Sequence, residues 1–184
     1  MTQPIYFTGR CLLAMPGMGD PRFERAVIAM CMHDEEGALG IDLGRTVDGV
    51  SAAEVFRQLD LEADGPAEGQ PLLQGGPVQT ERGFVIHSLD YQRSDTVDVA
   101  GRWGLTSSLS ILTDIAEGRG PENWRLALGY SGWDAGQLEE EMTRPGWLLA
   151  DCDTDVLFGE GPEHVWSAAY RSAGIDPAML SSGF

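Results

Sequence analysis

The residues of this chain best suited to proton transfer are two histidines, each at the end of an apolar run. His33 closes residues 26–33 and His87 closes residues 82–87, and a charged turn or loop follows each run. Imidazole both donates and accepts protons near neutral pH, so two rings that meet at one rim of a sheet would suit acid–base catalysis or anion binding. The alternative is that each ring bonds a nearby backbone carbonyl, because buried polar groups are normally paired.

Cys31 lies two residues before His33, a spacing that puts both side chains on one face of a strand. A thiolate and an imidazole can act as nucleophile and base, and both are metal-ligand types. A structural zinc site usually needs four ligands at recognisable spacings, and the remaining candidates form no such pattern: Cys11, Cys152, His87 and His164. The apolar neighbours Met30 and Met32 favour a neutral thiol. We therefore expect a buried cysteine beside a hydrogen-bonded histidine, with no metal.

A second candidate cluster runs from Gly132 to Glu141. Gln137 and Glu141 are four residues apart and so share one face of a helix, whose N-terminus offers free N–H groups to an anion. The alternative for Gln137 is to close a capping box with Asp134. Trp133 is a candidate anchor for a ligand or partner, although a large aromatic residue before a helix more often packs in the core.

Residues 74–78 read Gln-Gly-Gly-Pro-Val and do not make a phosphate-binding loop. A Walker loop needs Lys and Ser or Thr, which are missing here, and Pro77 removes one N–H donor. Gly75 and Gly76 instead suit a turn or a close backbone approach that a Cβ would block. Ser131 does not resemble the nucleophile elbow of a hydrolase, because Gly132 comes one place too early.

Strands and helices alternate along the chain. Short apolar runs bounded by turn residues predict strands at residues 8–16, 26–33, 38–44, 70–74, 82–89, 96–100, 124–130 and 146–151, with a hairpin turn at residues 35–37. Four helices are predicted: one capped by Ser51 with Glu54, one at residues 108–117, one capped by Asp134 and one opened by Pro162. This order predicts an α/β or α+β fold built on a mixed sheet, in one domain over residues 1–184.

Composition and charge exclude several classes of function. The chain has 29 acidic and 12 basic residues for a net charge of -17, and the basic residues are scattered arginines, so nucleic acids and anionic membranes are unfavourable partners. No segment approaches the roughly 20 apolar residues of a membrane span, and we expect a cytoplasmic protein. Its three cysteines are expected to be reduced, without a disulfide framework.

Three long stretches carry ordered motifs, at residues 9–41, 74–90 and 112–142, the last followed by Trp147. Together they resemble the AlgH/YqgE family over essentially the whole chain. The resemblance implies an α/β fold with a mixed, bifurcated, barrel-like sheet flanked by about four helices. It implies no accepted reaction or cofactor, although the family is commonly labelled a transcriptional regulator. The family's Asn-Arg-Pro is Gly44-Arg45-Thr46 here, so only Arg45 carries over.

These observations give a leading hypothesis and one alternative. We favour a non-enzymatic, cytoplasmic AlgH/YqgE-family protein that regulates or binds through an unidentified protein or small molecule, without direct DNA binding, metal or cofactor. The alternative is a small-molecule hydrolase or transferase that uses a polar cleft containing His33 and His87. The candidate catalytic residues are His33, His87 and Glu141. The candidate ligand-binding residues are Asp20, Arg45, Gly75, Gly76, Trp133 and Gln137.

Overall fold

The computed structural model describes residues 6–16, 24–62, 64–159 and 161–181. Within them the chain forms ten strands: β1 Arg10–Ala14, β2 Val27–Asp34, β3 Gly37–Asp42, β4 Thr46–Ser51, β5 Pro71–Gln74, β6 Val78–His87, β7 Val97–Val99, β8 Trp103–Thr106, β9 Trp124–Asp134 and β10 Trp147–Asp151. The same residues form five α-helices: α1 Ala52–Gln58, α2 Ser110–Ala116, α3 Gln137–Glu141, α4 Pro162–Ser172 and α5 Pro177–Ser181. A π-helical turn, Asp155–Gly159, connects β10 to α4.

The strands form one mixed sheet, as predicted. Eight of the described strands follow the order β10-β1-β2-β3-β9-β6-β8-β7, while β5 joins the side of β9 and pairs in turn with β4. The β5–β9 pair is parallel, and β9 is antiparallel to both β3 and β6. The predicted hairpin is confirmed, because Asp34 pairs with Gly37 and leaves Glu35 and Glu36 as its turn.

The sheet divides along one edge of β9. Leu126 to Leu128 pair with β5, whereas Ser131 to Asp134 pair with β3. Two different strands therefore share the same edge of β9, one after the other. This fork confirms the prediction of a mixed, bifurcated sheet.

Gly75 and Gly76 lie at this fork. A Cβ on Gly75 would overlap the carbonyl oxygen of Gly129, and a Cβ on Gly76 would overlap the backbone of Tyr130 and Ser131. Side chains at these positions would push the end of β5 away from β9. The close backbone approach expected for the two glycines is thus present.

The alternating side chains of β1 show why the first strands read as continuous apolar runs. Cys11 and Leu13 lie in the largest core, which draws on β1, β2, β3 and every strand from β5 to β10. Leu12 and Ala14 lie in a second core, beside α3 and Trp133. Because both faces of β1 are covered, no polar alternation marks the strand in the sequence.

All four predicted helices are present, and Pro162 begins α4 as predicted. Ser51 precedes α1 without a side-chain capping bond, so the predicted capping box at Ser51 is wrong. The sequence reasoning also missed β4, β8, α5 and the π-helical turn. None of the helices formed by the described residues is long and apolar enough to cross a membrane.

The cysteines do not match the expectation of three reduced thiols. Cys11 and Cys152 form a disulfide with a Cα–Cα distance of 5.4 Å, while Cys31 is free and buried. The two bonded residues are 141 positions apart, and they meet because β1 pairs with β10. That pairing depends on strand order, which cysteine spacing does not encode.

Candidate functional site

Four of the residues predicted for function lie together at one end of the sheet. His33 on β2 pairs with Ala38 on β3, and Ala38 pairs with Trp133 on β9, so the three side chains form a row across three strands. Helix α3 packs against β3 and β9 at this end. We call His33, Trp133, Gln137, Glu139 and Glu141 the His33 cluster.

His33 is held by partners from two distant parts of the chain. Its side chain has no exposed surface. The backbone N–H of Phe7 donates to Nδ1 over 2.9 Å, and Nε2 lies 2.7 Å from Oε1 of Glu139. Because Nδ1 accepts a hydrogen bond, the neutral ring carries its proton on Nε2 and donates it to Glu139.

This arrangement orients the ring but leaves no ring nitrogen for a substrate. A general base must offer a lone pair within hydrogen-bond reach of the proton it removes, and the only acceptor of the neutral His33 ring is used by Phe7. The hydrogen bond from His33 lowers the pKa of the Glu139 carboxyl. Glu139 is therefore ionised and faces partly outward, with 38% of its side chain exposed.

The other three cluster members form a short chain of hydrogen bonds along α3. The indole Nε1 of Trp133 donates to Oε2 of Glu141 over 2.8 Å, and the amide of Gln137 donates to Oε1 of the same carboxylate over 3.2 Å. Oε1 of Gln137 accepts the backbone N–H of Asp134 over 2.9 Å. Gln137 thus makes the back-bond of the predicted capping box, although Gly136 occupies the N-cap.

Tyr6 covers the His33 ring on its outer side. Its ring meets that of His33 edge to face at 5.0 Å, and it is 38% exposed. Desolvation, followed by the nearby charges of Glu35, Asp34 and Glu139, raises the pKa of Tyr6. The exposed rim of the His33 cluster is consequently rich in hydrogen-bond acceptors and negative charge.

Cys31 does not share a face with His33, contrary to the prediction. The β2–β3 register shifts between Met30 and Met32, which makes Cys31 the extra residue of a β-bulge. Cys31 lies in the largest core, whereas His33 contacts Phe7, a member of the second core. The bulge reverses the expected alternation, so a Cys–His pair is not formed.

His87 is buried in a separate network at the far end of β9. Nδ1 lies 2.9 Å from the carbonyl oxygen of Ser88 and must donate to it, so Nε2 accepts from the Thr106 hydroxyl at 2.9 Å. The oxygen of Thr106 in turn lies 3.0 Å from the Thr96 hydroxyl. Burial lowers the pKa of His87 and keeps the ring neutral. The ring also rests on Gly104, where any Cβ would overlap it.

The two histidines do not converge at one rim. His33 lies in the row of Trp133, but His87 pairs with Trp124, and these tryptophans lie near opposite ends of β9. At about 3.3 Å per residue the separation along β9 is roughly 30 Å. The shared polar cleft on which the hydrolase or transferase hypothesis depended is therefore absent from the structure.

Arg45 belongs to a third place, beside the fork of the sheet. Its Nε lies 3.5 Å from Oδ2 of Asp42, and its guanidinium donates to the carbonyl oxygen of Glu24. Asp42 is 2% exposed, and its backbone N–H donates to the carbonyl oxygen of Gly75 over 2.8 Å. Arg45, Asp42 and Gly75 are thus linked beside the fork of the sheet, apart from the His33 cluster.

The remaining expectations concern the ligand-binding residue Asp20 and the metal ligands. Asp20, predicted to bind a ligand, lies outside the described residues. Among the residues that the structure does describe, no three His, Cys, Asp or Glu side chains are placed to hold a metal ion.

Comparison with known proteins gives the family of the chain. Residues 11–178 match the family model described as AlgH-like. The chain belongs to the AlgH-like family. A UPF0301 protein from Rhizorhabdus wittichii is 50% identical over 182 residues, covering 99% of this chain and 97% of that protein. Another from Sphingopyxis alaskensis is 48% identical over 181 residues, covering 98% and 96%.

Solved structures share the fold. The solution structure of the AlgH protein from Pseudomonas aeruginosa matches with a TM-score of 0.77 at 36% identity, over 99% of this chain and 96% of that one. Protein DIP2367 from Corynebacterium diphtheriae also has a TM-score of 0.77, over 98% and 94%, and at 23% identity it shows the fold alone. The family recognised from the sequence motifs is therefore confirmed.

Two residues of this AlgH-like chain were missed by sequence reasoning. Glu139 is the first of three consecutive glutamates, and nothing in the sequence singles it out, yet it is the partner of His33 across 106 positions. Asp42 ends a strand and is almost fully buried. Its one available signal was a carboxylate inside the apolar run of residues 38–43, where a charge needs a partner.

Proposed function

We propose that this AlgH-like chain is a regulatory binding protein that acts through a protein or small-molecule partner. It neither binds DNA directly nor catalyses a reaction. The His33 cluster is its proposed binding site. The observation that carries the proposal is the hydrogen bonding of this cluster, in which the ring nitrogens of His33 are used internally and the Glu139 carboxylate is partly exposed.

The cluster is better suited to recognition than to catalysis. Phe7 and Glu139 fix the His33 ring, and Trp133 and Gln137 fix the Glu141 carboxylate. Preorganised acceptors of this kind bind a ligand without a further loss of side-chain freedom. A partner that presents N–H donors or positive charge complements them.

The arginines support the exclusion of DNA from the proposal. A protein that binds the phosphate backbone needs cations free to replace condensed counterions. Here seven arginines each lie within 4.0 Å of a carboxylate oxygen: Arg10, Arg45, Arg57, Arg93, Arg102, Arg119 and Arg144. The net charge of -17 adds a general repulsion of phosphates.

Two measurements test the proposal. Fluorescence anisotropy with a labelled DNA duplex at physiological salt is expected to show no saturable binding, and tight sequence-specific binding would contradict it. A thermal-shift screen with amines, amino acids, nucleotides and basic peptides is expected to give a stabilising compound, since a ligand that binds only the folded state raises the melting temperature.

The location of the site is tested with matched variants. Gln137→Ala removes a donor to Glu141 from the cluster, whereas Gln58→Ala changes an exposed glutamine at the end of α1. The stabilising compound should lose its effect on Gln137→Ala and keep it on Gln58→Ala. An equal effect on both variants would place the binding site elsewhere.

A further inference from the structure

The disulfide between Cys11 and Cys152 lies at the end of β10, just before the π-helical turn and helix α4. The register of β1 with β10 ends at the pair of Arg10 with Asp151, so Cys152 is one residue beyond it. Both cysteines are almost fully buried. Cys152 nevertheless stands between two exposed residues, Asp151 and Asp153.

The crosslink is not needed to hold β1 in the sheet. Five residue pairs join β1 to β10, from Arg10 with Asp151 to Ala14 with Trp147. On its other side β1 pairs with β2. A broken disulfide therefore leaves the strands paired and the two sulfur atoms near each other, which favours its re-formation.

The covalent bond instead ties down the connection from Cys152 to the π-helical turn. The connection is otherwise held by a few polar contacts and by Val156 and Leu157, which are buried in the largest core. Asp153 accepts hydrogen bonds from the backbone N–H of Val156 and the hydroxyl of Ser172, and the carbonyl oxygen of Phe158 accepts from Arg125.

Helix α4 is anchored independently of the crosslink. Val165, Ala169 and Tyr170 are buried on its inner side. The hydroxyl of Tyr170 and the indole of Trp166 both donate to the carbonyl oxygen of Ala14. Loss of the disulfide should accordingly loosen residues 152–159 and leave α4 in place.

The third cysteine does not interfere with this pair. Cys31 lies in the same core cluster, but burial raises its pKa to about 12. The thiolate is the attacking form in thiol–disulfide exchange, so Cys31 remains an unreactive thiol in the folded protein. Cys11 and Cys152 therefore behave as an isolated pair.

We propose that Cys11 and Cys152 form a reversible redox site, in which small-molecule thiols reduce the disulfide and thereby release residues 152–159. A thiolate attacks one sulfur, the protein S–S bond breaks, and the other cysteine leaves as a thiolate that takes up a proton. A second thiolate attacks the mixed disulfide, which yields two protein thiols and one small-molecule disulfide. The reverse exchange with a small-molecule disulfide restores the bond. The site is independent of the function proposed above.

A redox titration tests the chemistry. The protein is equilibrated in glutathione buffers from fully reduced to fully oxidised, trapped with an alkylating reagent and analysed by peptide mass spectrometry. We expect the alkylation of Cys11 and Cys152 to change together and reversibly, and Cys31→Ala to titrate like wild type. A pair that stays oxidised at the most reducing ratio, or never oxidises, overturns the proposal. A disulfide between Cys31 and either Cys11 or Cys152 also overturns the proposal.

Hydrogen exchange tests the structural consequence. Amides of residues 152–159 should exchange at least several-fold faster in the reduced protein, while those of α4 keep their protection. Cys152→Ser should resemble the reduced protein. If that variant does not fold, reduced wild type with alkylated thiols provides the same comparison. Equal exchange of residues 152–159 in both redox states would show that the bond does not control the segment.

Discussion

Asp42 is the buried carboxylate with the clearest consequence for stability. Burial raises its pKa from 3.8 to about 6, although the Gly44 N–H and Arg45 oppose this rise. The folded state thus binds the proton more tightly than the unfolded chain does. The resulting stabilisation is complete below the unfolded pKa and is lost as the pH rises through about 6.

We therefore expect the Asp42→Asn variant, which does not titrate, to gain stability relative to wild type as the pH rises. From about pH 5 to about pH 7.5 the difference in free energy of unfolding should shift by about 1 to 2 kcal/mol, since one pKa unit is worth about 1.4 kcal/mol. Urea denaturation at both pH values measures it. Asp48→Asn, at an exposed position, is the control, and an equal shift for both variants would contradict the prediction.

His33→Ala should destabilise the protein by about 2 to 4 kcal/mol, because it leaves a cavity and removes the acceptor of the buried Phe7 N–H. Glu139→Gln keeps an oxygen that accepts from Nε2 of His33, so we expect it to cost less than about 1 kcal/mol. Chemical denaturation of the two variants provides the comparison. A similar loss of stability in both variants would mean that the negative charge of Glu139, and not the hydrogen-bonded ring of His33, stabilises this part of the protein.

Residue types and their spacing located four of the five residues of the His33 cluster, all except Glu139. Histidine at the end of an apolar run and tryptophan before a helix are visible in any sequence. The partner of His33 is not visible, because Glu139 comes from an element that meets β2 only after β3 and β9 have paired. The partner of His87 is equally invisible in the sequence, because its Nε2 accepts a hydrogen bond from Thr106, which lies on β8.

At the level of elements, the glycine pair after β5 sets the geometry of the fork. Gly76→Ala should cost more than about 3 kcal/mol or prevent folding, because its Cβ has only the backbone of β9 to displace. Gly83→Ala, in β6, is the matched control: its Cβ would make ordinary contacts with Leu126 and Leu128 at 4.0 Å. We expect that variant to change stability by less than about 1 kcal/mol.

Thermal denaturation followed by circular dichroism distinguishes the two glycine variants. A Gly76→Ala protein that unfolds at the wild-type temperature would show that β5 and β9 can separate without penalty. A large drop in the melting temperature of Gly83→Ala would indicate instead that this part of the sheet does not tolerate added side chains in general.

Strongly apolar elements were predictable, and weakly patterned ones were not. β1, β2 and β9 bury most of their side chains and appear in the sequence as apolar runs. β4 is largely exposed along its length, and β8 is a short strand in which Gly104 and Thr106 interrupt the apolar residues, so neither gives a clear apolar or periodic signal. The bulge at Cys31 was invisible for another reason: it is a property of the pairing between β2 and β3 and not of β2 alone.

For the whole molecule, the disulfide closes a very long loop. The two cysteines are 141 positions apart, and the chain-entropy model gives a stabilisation on the order of 4 to 5 kcal/mol for such a loop. Cys152→Ser should therefore lower the free energy of unfolding by several kcal/mol in oxidising buffer. Urea denaturation with and without reductant is the measurement.

Reductant supplies the control for this comparison. It should bring wild type close to Cys152→Ser, because both chains then lack the crosslink. A difference that persists in reductant would have to come from the loss of a buried thiol in the core, and would count against the loop-closure explanation.

The central place of β9 also bears on synthesis of the chain. β9 is the strand that joins β3, β5 and β6, yet it is one of the last strands to leave the ribosome. Until it does, the β2–β3 hairpin and the β6–β8 pair have no common neighbour, and the strand edges that β9 will cover stay open. Open strand edges are where nascent chains aggregate or recruit chaperones. The interval before Trp124 to Asp134 emerge is thus the period in which the nascent chain leaves the most strand edges unpaired.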